Sequence, residues 1–153
     1  MTTVSCSSVD TIIKFAIEKE EKAMEFYQQC ADRAKNQWIK QFFQEMLAEE
    51  ARHRKLLQEL DLAALSNLKL AKVEDLQISD YMIDVKFHDQ LTYQEALALS
   101  MKKEEKAHAF YLGWKDKCMN EKTAKLFEML ANEELKHKRK IETIYDEEIL
   151  AWD

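Results

Sequence analysis

Displaced by 84 positions, the sequence falls on itself. KEEKAMEFY at 19–27 lies on KEEKAHAFY at 103–111, and across residues 19–53 against 103–137, 13 of 35 pairs are identical with no gap. An echo of this kind means one supersecondary unit used twice, each copy burying its apolar face against the other. The matched pairs include Glu20 with Glu104, Tyr27 with Tyr111, Glu50 with Glu134 and His53 with His137.

The unit is a helical hairpin. Apolar residues recur every three or four positions in four stretches, the pattern of a helix with one buried face. The spacing predicts helices over about 10–34, 37–60, 93–118 and 121–148. The chain has no proline and a single glycine, Gly113, so nothing interrupts these helices. Start signals agree: Thr92 with Glu95 is a capping-box pattern. Asn36 and Asn120 can each accept from the free N–H groups that open the second and fourth helices. The connection within each hairpin is short, as antiparallel neighbours require. Roughly 30 residues, 62–91, separate the hairpins, far more than an up-down-up-down bundle needs. A long crossover and an up-down-down-up order are therefore expected, with YMIDV (81–85) packed on the bundle. The expected fold is all-α: one four-helix domain spanning 1–153.

Each apolar stripe carries polar residues at mid-helix. The first reads Ile13, Ile17, Glu20, Met24, Tyr27, and the second Phe43, Met46, Glu50, His53, Leu57. The third reads Leu97, Met101, Glu104, Ala107, Tyr111, and the fourth Phe127, Leu130, Glu134, His137, Ile141. If the stripes form the core, four carboxylates and two imidazoles meet inside it. Unpaired buried carboxylates are very costly, and two histidines cannot neutralise four of them. Two divalent cations would. Oxygen and imidazole donors suit iron, manganese or zinc, and the lack of thiolates argues against an iron–sulfur cluster.

A single Glu-x-x-His is weak evidence, and the chain supplies a control. Glu105 and His108 have the same spacing, but His108 aligns with Met24 and has no counterpart in the other half. That pair reads as chance, with His108 peripheral. Glu21, Glu49, Glu105 and Glu133 fit the stripes less well than their neighbours and read as solvated or ion-paired. Tyr27 and Tyr111 are either ordinary core aromatics or supports for a ligand carboxylate from behind. Trp38, Trp114 and Trp152 read as packing residues, and Cys30 and Cys118 as buried thiols near helix ends.

The formal net charge of −6 argues against nucleic acid, whose phosphates need a basic face. No apolar run is long enough for a membrane span. MTTVSCSSVD lacks the basic start and apolar core of a signal peptide. Three widely spaced cysteines form no disulfide framework, so a cytoplasmic location is expected.

One Glu on the first and third helices and Glu-x-x-His on the second and fourth resembles the ferritin-like di-iron carboxylate proteins. EKAMEFY and EKAHAFY, followed by AEEARH and NEELKH, look like the rubrerythrin branch. The resemblance covers about residues 10–148. It implies a centre of two iron ions, with manganese or zinc possible. Glu50 and Glu134 would bridge the metals, Glu20 and Glu104 would be terminal, and His53 and His137 would each hold one. Tyr27 and Tyr111 would stand behind the ligands.

Two departures qualify the implied chemistry. Rubrerythrins proper carry a rubredoxin domain, and this chain has no paired C-x-x-C knuckles. Electrons are therefore expected from a separate rubredoxin-like donor. Rubrerythrins also carry an extra glutamate on the third helix where this chain has Ala107. The resemblance implies a peroxidase-type oxidoreductase that reduces hydrogen peroxide or O₂ in oxidative-stress defence, with a homodimer as the expected assembly. Two other functions share the ligand set: a ferroxidase or iron-handling protein, and a non-catalytic dinuclear metal-binding module.

Overall fold

A computed structural model describes residues 9–60, 92–117 and 121–149. The described residues form four α-helices: α1 (Val9–Arg33), α2 (Gln37–Gln58), α3 (Tyr93–Lys115) and α4 (Glu121–Ile144). There is no strand among the described residues, and no described helix is long and apolar enough to cross a membrane. The helices match the periodicity to within a few residues at each end. The last predicted stretch departs from α-geometry at Tyr145–Ile149, which winds as a π-helix. Gln94 Nε2 donates to Tyr145 Oη at 2.9 Å and ties that end of α4 to the start of α3.

The caps form as read. Asn36 accepts from the Ile39 N–H at 2.8 Å. Thr92 and Glu95 exchange both bonds of a capping box. Asn120, Cys6, Cys118, Trp152 and the 81–85 segment lie outside the described residues.

Cross-helix contacts give the helix directions. Only residues 34–36 join α1 to α2, and Arg54 well along α2 meets Glu21 at mid-α1, so α2 folds back antiparallel to α1. Tyr27 meets Glu104 while Tyr111 meets Glu20, so α1 and α3 are antiparallel. Arg52 meets Glu133 and Lys140 meets Glu45, so α2 and α4 are antiparallel too. Helices α2 and α3 therefore run the same way, which is the up-down-down-up order. The end of α2 and the start of α3 lie at opposite ends of the bundle.

The core has two apolar layers. One gathers Ile12, Ile13, Leu57, Tyr111, Trp114, Phe127 and Leu130, among others. The other gathers Phe26, Tyr27, Phe42, Phe43, Met46, Leu97 and Ile141, among others. Burying each of the large side chains stabilises the fold by about 1.5–3 kcal/mol. Along every helix the mid-stripe polar residues fall between the layers. Three stripe positions are only partly buried: Ile17, Met24 and Met101. Ala16, Ala23 and Ser100 occupy the deepest places instead. Trp38 is 50% exposed rather than packed, whereas Trp114 is buried as expected. Cys30 is buried near the end of α1, and burial pushes its thiol up to about 12.

Candidate metal centre

The six residues singled out by the repeat converge at mid-bundle. Glu20, Glu50, His53, Glu104 and Glu134 are at most 2% exposed, and His137 is 6% exposed. His53 Nδ1 lies 2.9 Å from Glu134 Oε1, 3.4 Å from Glu50 Oε1 and 3.7 Å from Glu20 Oε2. Under the 84-residue exchange, His137 Nδ1 lies 3.3 Å from Glu50 Oε1, 3.8 Å from Glu134 Oε1 and 3.6 Å from Glu104 Oε2. The imidazole rings are nearly parallel, 10° apart, with centroids at 5.6 Å. The sequence repeat is thus a pseudo-twofold axis through the cluster.

Two groups of four overlap here. Glu20, Glu50, His53 and Glu134 each offer one atom, all within 4.8 Å of one another. Glu50, Glu104, Glu134 and His137 do the same. Glu50 and Glu134 belong to both groups. Each remaining pair comes from one hairpin: Glu20 with His53, and Glu104 with His137. Two metal positions sharing two carboxylates is the arrangement this geometry accommodates.

The donor atoms pass a direct test of fit. Glu20 Oε2, Glu50 Oε1, Glu104 Oε2, Glu134 Oε1, His53 Nδ1 and His137 Nδ1 are buried without a hydrogen-bond partner. Native interiors tolerate few such atoms, and here they all face one another. The outward oxygens of Glu20 and Glu104 are satisfied. Tyr111 donates to Glu20 Oε1 at 2.5 Å, and Tyr27 donates to Glu104 Oε1 at 2.6 Å. Burial pushes both phenols well above their usual range, so they remain donors. Both tyrosines are therefore core aromatics whose hydroxyls fix a carboxylate, so the two readings offered for them coincide.

Without metal the cluster must hold protons. Burial, then the neighbouring Glu50, pushes Glu20 up to about 8. Burial, then Glu104, raises Glu134 well above the carboxylate range. Burial disfavours charge on the histidines too, but adjacent carboxylates outweigh it. Glu20 and Glu50 bring His53 to about 9, and Glu104 and Glu50 bring His137 to about 10. Burial alone would raise Glu50, but His137 and His53 hold it well below the usual range. At pH 7 the two histidines and Glu20 thus carry protons that a metal pair must displace.

Uptake of two divalent ions near pH 7 is expected to release about three protons, from His53, His137 and Glu20, measurable with an indicator dye in weak buffer. The same groups set the pH dependence of the metal-free fold. The contribution of His53 and His137 is complete below pH 6.5 and is lost as the pH climbs through about 9 to 10. Glu20, raised from 4.5 to about 8, acts in the same direction. Metal-free protein should lose stability from neutral pH upward, and loaded protein should not; parallel profiles would contradict this assignment.

The control pair behaves differently. His108 Nδ1 donates to the Ala131 carbonyl at 2.7 Å, half-buried, and stands outside the cluster. Glu21 is exposed and pairs with Arg54, while Arg52 bridges Glu49 at 2.8 Å and Glu133 at 3.2 Å. Glu49 and Glu133 have a second placement that the periodicity did not show. They group with His53 and His137 on the outer side, with Glu49 Oε2 at 3.9 Å from His137 Nε2. Such outer carboxylates orient imidazole ligands. The signal was present in the glutamate doublets at 49–50 and 133–134. Ala107 is buried at the position equivalent to Ala23, so neither half adds a fifth carboxylate there.

A family model described as rubrerythrin matches residues 11–145. A ferritin-like diiron-carboxylate protein from Thermotoga maritima has a similar structure, with 21% identity, a TM-score of 0.74 and 96% and 98% of the two chains covered. A hypothetical protein from Pyrococcus furiosus is also similar, with 24% identity, a TM-score of 0.68 and 93% and 90% covered. At these identities the likeness establishes the fold. Comparison with curated protein sequences finds no match.

Proposed function

Since this chain belongs to the rubrerythrin family, we propose that it is a dinuclear metal oxidoreductase that reduces hydrogen peroxide or O₂ with electrons from an external donor. The observation that carries this reading is the set of buried, partnerless oxygen and nitrogen atoms converging on two overlapping positions. Glu50 and Glu134 would bridge the metals because both positions share them. Glu20 with His53 would complete one position, and Glu104 with His137 the other. Bound as an iron pair, the metals would supply two electrons and a two-point Lewis-acid clamp for an O–O bond.

The chain's own residues do the positioning. Tyr27 and Tyr111 pin the outward oxygens of Glu104 and Glu20, leaving the inward oxygens aimed at the metal positions. The apolar layers above and below limit water. A rubredoxin-like protein is the class of donor proposed. A homodimer in the cytoplasm is the proposed setting.

Anaerobic protein reduced with two ferrous ions should oxidise on adding one equivalent of peroxide, followed optically. It should then turn over repeatedly with a reduced rubredoxin. Iron-loaded protein whose oxidation is no faster than that of free ferrous ion would end the enzymatic reading. A zinc-loaded protein inert to peroxide would instead fit a binding module, and a large hollow assembly would fit iron handling.

A further inference from the structure

The outer side of the centre, between α2 and α4, carries a donor set of its own. Glu49, His53, Glu133 and His137 each offer one atom, all within 4.8 Å of one another. The Nδ1 atoms of both rings face the mid-bundle carboxylates, so this outer set is reached through Nε2. His137 Nε2 lies 3.9 Å from Glu49 Oε2. His53 Nε2 is fully buried and has no hydrogen-bond partner. A buried nitrogen in that state is costly unless something binds it.

The set also joins solvent to the core. The side chains of Glu49 and Glu133 are 43% and 23% exposed, whereas the central carboxylates are buried. Arg52 closes this mouth. Its Nη2 lies 2.8 Å from Glu49 Oε2 and 3.2 Å from Glu133 Oε1, so one positive charge already sits between the two carboxylates. Arg52 is itself exposed, and exposed ion pairs hold weakly, so a divalent ion can displace it.

We propose that Glu49, Glu133 and the Nε2 atoms of His53 and His137 form a loading site through which divalent cations reach the centre, with Arg52 as the latch that an arriving ion displaces. The proposal rests on the cluster holding two metals. An ion that takes the lone pair of Nε2 sends that nitrogen's proton to solvent and leaves Nδ1–H on the inner carboxylates. An ion in the centre takes Nδ1 instead, and Nε2–H then faces Glu49 and Glu133. A ring that keeps one proton serves one side at a time. The outer position is therefore a station on the way in, not a third resident metal. With both carboxylates open to solvent, it holds its ion only briefly.

The test follows cobalt(II) uptake by metal-free full-length protein in a stopped-flow spectrometer, with elemental analysis of the final content. Initial rates are compared, so a change in final affinity does not enter. E49Q/E133Q should load about tenfold more slowly than wild type, the lower end of what steering by surface charge provides. R52Q should load a few-fold faster, because the latch is gone. R54Q makes the same change of charge beside Glu21, away from the mouth, and should load at the wild-type rate. Carboxylates that only orient the imidazoles give a different pattern, since Arg52 then helps to hold them: the two mouth variants change together or not at all. R52Q that loads no faster than R54Q, or E49Q/E133Q that loads no slower than wild type, would overturn the loading site and leave the centre standing. Wild type that takes up no cobalt would overturn both.

Discussion

Replacing Glu50 and Glu134 together by alanine is expected to reduce the metal content from two ions per chain to nearly none. These two carboxylates are the only ones common to both overlapping groups. Losing either weakens both positions, and losing both leaves each with one carboxylate and one imidazole. The effect should exceed the loss of about 10–100-fold in affinity that follows removal of an outer partner. Tyr27→Phe with Tyr111→Phe supplies that smaller reference, because each hydroxyl touches only the far oxygen of a terminal glutamate. Alanine also leaves cavities at two buried positions, so Glu50→Gln with Glu134→Gln should be measured beside it. Glutamine keeps the volume and removes the charge. Glu21→Ala with Glu105→Ala should bind metal normally, since both side chains are exposed. Elemental analysis after gel filtration, with circular dichroism to verify the helices, decides the matter. Two tightly held metals in the glutamine variant would refute the bridging assignment.

Much of this centre was legible in the sequence because the repeat and the helical period constrain the same residues. Periodicity places Glu50, His53, Glu134 and His137 on stripes that are buried throughout, and all four lie in the core. The repeat then separates Glu134–His137 from the Glu105–His108 control, which spacing alone cannot do. Reading was poorer on α1 and α3. Ile17, Met24 and Met101 are only half-buried, because small residues at 16, 23 and 100 face the centre in their place. Alanine scores weakly as a stripe residue although it permits close approach. The buried lysines were missed for a related reason. Nothing in KEEK alone signals burial, yet Lys19 and Lys103 are buried, each with its ammonium over an aromatic ring across the α1–α3 seam and near the carboxylates of the cluster. The outer pairing of Glu49 and Glu133 with the imidazoles depends on how α2 meets α4, a tertiary fact that no single-helix pattern contains.

The cluster should also be the weakest part of the metal-free fold, and removing it entirely should make the protein more stable. Its buried charges are compensated by one another, by the neighbouring Lys19 and Lys103 and by protons held against their usual tendency. Breaking such a network at one point leaves an uncompensated buried charge and is strongly destabilising, whereas replacing it whole with apolar side chains of similar volume is often stabilising. The replacement must therefore be complete: Glu20, Glu50, Glu104 and Glu134 to methionine, His53 and His137 to leucine, and the buried Lys19 and Lys103, which interact with those carboxylates, to methionine as well. Tyr27 and Tyr111 must become phenylalanine as well, because their buried hydroxyls would otherwise lose their acceptors, at about 1–3 kcal/mol each. The two apolar layers then join into one continuous core. Unfolding by urea in the presence of a chelator should show a gain on the order of 3 kcal/mol over metal-free wild type. The gain should grow above neutral pH, where the histidines and Glu20 of the wild type lose their protons. A folded, helical variant no more stable than metal-free wild type would mean that the empty cluster carries little strain. In that case the partnerless oxygens and nitrogens would have lost their force as an argument for metal.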